Sequence, residues 1–266
     1  MADFTSSVSN IPANYETGMG PIAFAPYAED VARRVAQTNP QRVLEIAAGT
    51  GRVTRELCKT LGPQASLEVT DLNADMLQVA KDIVKDPRIN WSIANAVELP
   101  FEDDTFDAVL SQFGVMFYPD KVQGHREAKR VLKPGGVYHF TAWGKLDDNP
   151  WSNVIHKTMA EMFPENQPMF LMVPFSYNDP DLIRSDLSAA GFTNINIEGV
   201  QKDVRAPSAR ELAVGVVEGS PLAASIAERG IQDLTPYVDA VEERYVRQFG
   251  DKPMLTTMKA FVVKAQ

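Results

Sequence analysis

One stretch, Val43-Leu-Glu-Ile-Ala-Ala-Gly-Thr-Gly51, limits what this chain can fold into more than any other. An apolar run interrupted by Glu45 passes through two small residues into a glycine pair, and a helical pattern begins at Arg52. That order reads as a buried strand, a tight turn and a helix start. Gly49 and Gly51 lack a Cβ, so the turn can adopt positive φ and a ligand can lie against backbone N–H groups at a helix N-terminus. Such turns also hold dinucleotides and phosphates, so the choice of ligand rests on residues further along the chain.

Strand and helix patterns then alternate at short spacing. Strands are expected at 42–47, 66–70 (ending on Asp71), 89–94, 106–112 and 137–143, and helices at 26–36, 52–61, 74–84 and 121–132. Helix 74–84 places Met76, Leu77, Ala80, Ile83 and Val84 on one apolar face. Lys133-Pro-Gly-Gly136 reads as a hard stop before the fifth strand. This alternation predicts an α/β fold with a doubly wound, mostly parallel sheet. From 147 the pattern changes to a Pro-, Met- and aromatic-rich insertion with a helix over 151–163. A helix at 179–190 and a strand at 193–200 resume the core. A second insertion, 207–249, carries the stripe Tyr237, Val238, Val241, Tyr245 and Val246, and 258–264 reads as the last strand. The expected division is an arm and helix (1–36), a binding core (37–146), a cap insertion (147–178), a core continuation (179–200), a second cap insertion (201–250) and the final core strand (251–266). In the arm, Ile11, Tyr15 and Met19 are the residues expected to dock.

Composition excludes several classes. A formal charge of −9 argues against nucleic acid or an anionic membrane as the main partner. The single cysteine, Cys58, rules out an internal disulfide and is expected to be buried and inert, and no Cys/His cluster suggests a metal site. Glu102-Asp103-Asp104 reads as a solvated loop. The first residues lack the features of a targeting signal and no stretch is apolar enough to span a membrane, so a cytoplasmic protein is expected. Homo-oligomerisation through the cap is left open.

Five stretches now stand in order: Glu45-Ile-Ala-Ala-Gly-Thr-Gly51, Asp71, Asn95-Ala-Val-Glu-Leu-Pro-Phe101, Phe106-Asp-Ala-Val-Leu-Ser-Gln112 and Arg130-Val-Leu-Lys-Pro-Gly-Gly136. Together they resemble the class I S-adenosylmethionine-dependent methyltransferases of the small-molecule group. The resemblance covers about residues 40 to 145. It implies a Rossmann-like seven-stranded sheet whose last strand is antiparallel, inserted beside the sixth, with a helical cap formed by the insertions. It also implies S-adenosylmethionine as cofactor and S-adenosylhomocysteine as product.

On that resemblance Glu45, Ala47, Gly49, Thr50, Gly51 and Arg52 surround the methionine tail, whose carboxylate suits the N–H groups from Gly49 to Arg52 and the helix dipole. Ala47 stands where many relatives carry glycine. Asp71 is expected to accept the ribose hydroxyls, or otherwise to cap the next helix. Leu72 and Met76 are candidates for the adenine's apolar walls. Asn95 departs from the usual aspartate, and either accepts the adenine amino group through its side-chain oxygen or caps a turn while Ala96 and Val97 make the contact. Gln112 and Phe113 fall beneath the methionine portion. Tyr15, Met19, Met116, Phe117, Trp143 and His156 are the candidates to line an apolar or aromatic small-molecule acceptor, in segments whose aromatic and Met residues could equally pack a cap. Of the three histidines, His125 reads as a surface-helix residue, His139 as a strand residue and His156 as a residue of the inserted helix. No general base is assigned, since in-line methyl transfer can rest on alignment and water exclusion. A dinucleotide-binding enzyme fits worse, because Thr54 occupies the third glycine position. A member that binds the cofactor without transferring methyl is the alternative.

Overall fold

The computed structural model describes residues 14–266, so Ile11 and the first part of the expected arm lie outside the described residues. Strands β1 (Arg42–Ile46), β2 (Ser66–Asp71), β3 (Ile89–Ile93), β4 (Phe106–Gln112), β5 (Leu132–Trp143), β6 (Ile195–Ala206) and β7 (Met254–Ala265) form one sheet in the order β3-β2-β1-β4-β5-β7-β6. β1 pairs in parallel with β2 and β4, β2 with β3, and β4 with β5, whereas β7 runs antiparallel to β5. This is the expected doubly wound sheet with a reversed last strand. Its order reverses between β1 and β4, and in open α/β sheets that switch point, at the carboxyl ends of the strands, is where ligands bind. The central strands are apolar on both faces, with Val43, Leu44, Ala108, Val109 and Leu110 all buried, as a sheet covered by helices on both sides requires.

Helix α1 (Ala25–Ala36) buries Tyr27, Val31 and Val35, and the Tyr27 hydroxyl donates to the Val200 carbonyl at 2.9 Å. Helix α2 (Arg52–Thr60) buries Val53 and Leu57. Helix α3 (Ala74–Ile83) starts at Asn73, whose side-chain oxygen accepts from the N–H groups of Asp75 and Met76. Leu77, Ala80 and Val84 are buried, but Ile83 is 42% exposed and Met76 half-buried. Each of these two precedes a buried residue by one position, hence by about 100° around the axis, so the apolar stripe is narrower than the sequence implied.

Helix α4 (Lys121–Val131) runs straight into β5, which begins at Leu132 instead of Val137. Lys133-Pro-Gly-Gly is therefore an irregularity inside the strand. Leu132 pairs with Phe106, the register shifts before Ala108, and Gly135 supplies φ +81°. Lys133 donates to Asp107 at 2.7 Å, and Asp107 also accepts from the N–H groups of Gln41 and Arg42. Glu102 to Asp104 are exposed, as expected, with Asp103 paired to Arg130. Cys58 is half-buried; burial pushes its thiol up to about 12, so it is unreactive although less enclosed than expected.

The described residues form two compact units. One comprises 27–144, 176–200 and 260–266, and includes helix α6 (Pro180–Ala189), which packs on α4. The other comprises 14–26, 145–175 and 201–259, and includes α5 (Pro150–Met162), α7 (Ala209–Val217), α8 (Pro221–Ala227) and α9 (Thr235–Phe249). In the latter, α9 packs on α5 and α7 through Tyr237, Val238, Val241 and Tyr245, whose hydroxyl donates to the Trp151 carbonyl. Val246, one step round the helix, is exposed. The segment Tyr15–Phe24 is π-helical and lies on α7, where a Cβ on Gly18 would stand 2.4 Å from the Gly215 Cα. β6 runs on to Ala206, past the expected end at Val200, because Val204 and Ala206 continue the buried face between Lys202, Asp203 and Arg205.

Candidate active site

The turn after β1 takes the left-handed region at alternate residues: Ala47 at φ +57°, Gly49 at +57° and Gly51 at +78°. For Ala47 this conformation costs on the order of 1 kcal/mol, which the surrounding fold imposes. The two glycines differ in purpose. A Cβ on Gly51 would meet the Ala80 side chain at 3.2 Å, so that position serves close packing of the turn on α3. At Gly49 a Cβ would have nothing within 4 Å, so that side of the turn faces open space.

Two of the N–H groups expected to hold a ligand carboxylate are engaged within the protein. Gly49 N–H donates to Asp71 Oδ2 at 2.7 Å and Gly51 N–H to the Ala48 carbonyl at 3.0 Å. Thr50 is buried and Arg52, first residue of α2, half-buried. Behind the turn Glu45 is 2% exposed, and its Oε2 accepts from the Thr54 hydroxyl at 2.7 Å. Burial pushes its carboxyl up to about 8, with the Asp71 charge adding to the shift.

Asp71 closes β2. Its other oxygen accepts from the Asn73 N–H at 2.8 Å, and the helix cap that Asp71 could have supplied is made by Asn73 instead. Burial raises the Asp71 carboxyl, against the backbone donors that stabilise its charge. Leu72 beside it is 58% exposed. Across β3, Asn95 Oδ1 accepts from the Val97 N–H at 3.2 Å, so Asn95 does shape a turn; Ala96 is buried and Val97 half-buried.

This loop is held from behind by Glu127, which sequence reasoning did not single out, and by Arg130, which it quoted only as the first residue of the 130–136 stretch. Glu127 Oε2 accepts from the Leu99 N–H, and Arg130 donates to the carbonyls of Leu99 and Phe101 while pairing with Glu127 at 2.7 Å. Arg130 holds the Glu127 carboxyl below its usual range. The three-residue spacing of an acid and an arginine on α4 was the available signal.

After β4, Gln112 is half-buried and Phe113 sits at φ +54°. The Phe113 ring stacks on Trp143 at 3.9 Å between centroids and meets Tyr27 edge-on at 5.4 Å. Within this loop Met116 is buried and Phe117 is partly exposed. Tyr15, stacked on Phe24, the buried Met19, and His156, which receives a hydrogen bond from Gln167 on its carbonyl, belong to the helical unit. His125 is not a surface residue. It is fully buried, with Nε2 3.2 Å from the Tyr177 hydroxyl, which in turn donates to Asp186. Burial pushes His125 down to about 3 and His139 down to about 4, so both rings are neutral.

An open turn at Gly49, an acid at the end of the neighbouring strand and an exposed leucine beside it fit a ligand with an amino-acid tail, a ribose and a flat base. Among the described residues no cluster of metal-ligating side chains occurs, and no helix is long and apolar enough to cross a membrane.

Comparison with known proteins agrees with that geometry. The model of the ubiE/COQ5 methyltransferase family matches residues 24–177. A ubiquinone/menaquinone biosynthesis C-methyltransferase of Serratia proteamaculans is 30% identical over 169 residues, which cover 58% of this chain and 67% of that protein. Its counterpart from Pectobacterium atrosepticum is 40% identical over 170 residues, 59% of this chain and 68% of that one. Across such relatives the matched stretch spans from 39% to 68% of the relative's own length. A phosphoethanolamine N-methyltransferase of Haemonchus contortus, solved with S-adenosylmethionine, shares the fold at a TM-score of 0.62 and 20% identity, covering 98% of this chain and 58% of its own. With the family model spanning more than half of its length, the chain belongs to the ubiE/COQ5 methyltransferase family and is an S-adenosylmethionine-dependent methyltransferase.

Proposed function

We propose that this methyltransferase methylates a ring carbon of a small, electron-rich aromatic acceptor of the hydroquinone class. The observation that carries the reading is the loop Phe113-Gly-Val-Met-Phe-Tyr118, which leaves the carboxyl end of β4 with apolar and aromatic side chains and no ionised one. Such a wall suits an uncharged ring and offers no counter-ion to an ammonium or carboxylate acceptor. The names of the relatives, C-methyltransferases of ubiquinone and menaquinone biosynthesis, favour the same class.

In this reading S-adenosylmethionine, when bound, supplies the methyl as an electrophile on a sulfonium sulfur. The chain's residues bind and align. Asp71 accepts the ribose hydroxyls, Leu72 and Met76 with Asn95, Ala96 and Val97 border the adenine, and Ala47 to Arg52 receive the amino-acid tail. Glu45 acts from behind the turn through Thr54, and Gln112 and Phe113 set the floor near the reacting carbon. The ring hydroxyls of a hydroquinone raise the nucleophilicity of the adjacent carbon; its bond to the methyl would form as the methyl–sulfur bond breaks with the electron pair left on sulfur, and the ring proton of the resulting cation would be lost to solvent after transfer, once the site reopens. Alignment and exclusion of water supply the acceleration, and no side chain need act as base.

The test is incubation with S-adenosylmethionine labelled in its methyl group and a panel of short-chain naphthohydroquinones, benzohydroquinones, simple phenols and amines. Label on a ring carbon of a hydroquinone is expected, located by NMR of the product. Label confined to oxygen or nitrogen acceptors overturns the reading.

A further inference from the structure

We propose that Ser111, Gly114 and Tyr118 form a clasp that registers the loop after β4 against the glycine turn after β1, making Gly114 and Tyr118 positioning residues for methyl transfer. The acceptor side of this inference rests on the proposed aromatic acceptor; the cofactor side does not.

Ser111 is fully buried near the end of β4. The chain then makes a single 3-10 turn, Val115–Phe117, closed by Phe117 N–H to the Gly114 carbonyl and Tyr118 N–H to the Val115 carbonyl. That turn brings the Tyr118 hydroxyl back to 3.0 Å from Ser111 Oγ. Room for the ring is made on α4 by Gly124, where a Cβ would stand 2.5 Å from Tyr118 Cδ2. Burial holds the phenol far above its usual range, so it stays a neutral hydrogen-bonding group. The other end of the loop is fixed by Phe113 N–H donating to Thr141 Oγ1 at 3.0 Å.

Gly114 is the informative member. Its φ is −100°, a conformation open to any residue, so backbone freedom does not explain a glycine there. Space does. A Cβ on Gly114 would lie 2.6 Å from Ser111 Oγ and 2.7 Å from the Cβ of Ala47. Ala47 is itself the left-handed first residue of the cofactor turn. The loop bearing Met116 and Phe117 is thus seated directly on the turn, and its height above that turn is set by one missing methyl group. Packed elements at such spacing do not deform continuously, so a change on one side is felt on the other.

The two contacts can be separated by mutation. Gly114→Ala overpacks both, and binding of S-adenosylhomocysteine by titration calorimetry should weaken about tenfold. Adding Ala47→Gly removes one of the clashing atoms, so Ala47→Gly/Gly114→Ala should regain most of the affinity that Gly114→Ala loses, while kcat stays low because the Ser111 contact is still displaced. Tyr118→Phe opens the clasp alone. It should leave S-adenosylhomocysteine affinity and the KM for S-adenosylmethionine unchanged and lower kcat on a naphthohydroquinone about tenfold. Thermal unfolding of each variant checks that it is folded; if Gly114→Ala does not fold, the double variant and Tyr118→Phe carry the test. Wild-type affinity in folded Gly114→Ala, no recovery in the double variant, or wild-type kcat in Tyr118→Phe overturns the clasp. Failure of the wild type to methylate any hydroquinone overturns the acceptor class instead, and the calorimetry still decides the clasp.

Discussion

Asp71 serves the glycine turn with both oxygens of its carboxylate, the group proposed to hold the cofactor ribose. One oxygen holds Gly49 N–H and the other Asn73 N–H, so the acid itself fixes the approach of β2 to the glycine turn. Replacing it with alanine should weaken S-adenosylmethionine by about 1.5–3 kcal/mol, the worth of a charge-assisted hydrogen bond. Titration calorimetry on a folded Asp71→Ala variant checks this, and unchanged affinity would remove Asp71 from the site. The position was legible because an acid at the end of a strand, beside a glycine turn, has few other duties. Its engagement by Gly49 was not, since that depends on the twist of two neighbouring strands. His125 shows the opposite limit: a helix with Lys121, Arg126, Lys129 and Arg130 reads as solvated, yet the face that carries His125 is covered by Tyr177 and Phe140. Nothing local to α4 announces residues so distant in sequence.

At the scale of the element, periodicity located the strands and helices of the sheet, while their ends followed local chemistry that periodicity does not contain. β5 absorbs Lys133-Pro-Gly-Gly because Gly135 can take positive φ within an irregular pairing, a geometry that looks like a stop when read as composition. β6 gains its outer half from Val204 and Ala206, which charged neighbours disguise. The start of α3 is sharper. Asn73 accepts from two backbone N–H groups, at 2.9 Å from Asp75 and 3.1 Å from Met76. Asn73→Ala should therefore cost about 1 kcal/mol of folding stability. Because α3 carries Met76, proposed with Leu72 to border the adenine, the same variant should also weaken S-adenosylhomocysteine binding. Urea unfolding measures the first effect; a midpoint equal to wild type at equal slope would show that the cap contributes nothing.

For the molecule as a whole, the buried titratable groups set opposing pH limits. Burial raises Glu45 from 4.5 to about 8, so the stability it lends is fully present below about 4.5 and is lost as pH rises through about 8. His125 and His139 are lowered from 6.5 to about 3 and about 4, so theirs is present above about 6.5 and lost as pH falls through those values. Glu45 has Thr54, Asp71 and Arg55 about it. His139 has Lys264 on β7 and Arg34 and Asp30 on α1, and His125 has Lys121 on its own helix. Unfolding stability should accordingly peak near neutral pH and fall on both sides. The alkaline limb belongs to Glu45, which Glu45→Gln isolates by keeping the shape and the neutral state at every pH. Relative to wild type, the variant should gain about 4 kcal/mol between pH 5 and pH 9, about three pH units of linkage between pH 5 and the folded value near 8. Denaturant titrations of both proteins at those two values decide the matter: an equal difference at pH 5 and pH 9 would mean that Glu45 titrates in the folded chain as it does unfolded, and that the acid behind the glycine turn is not held neutral.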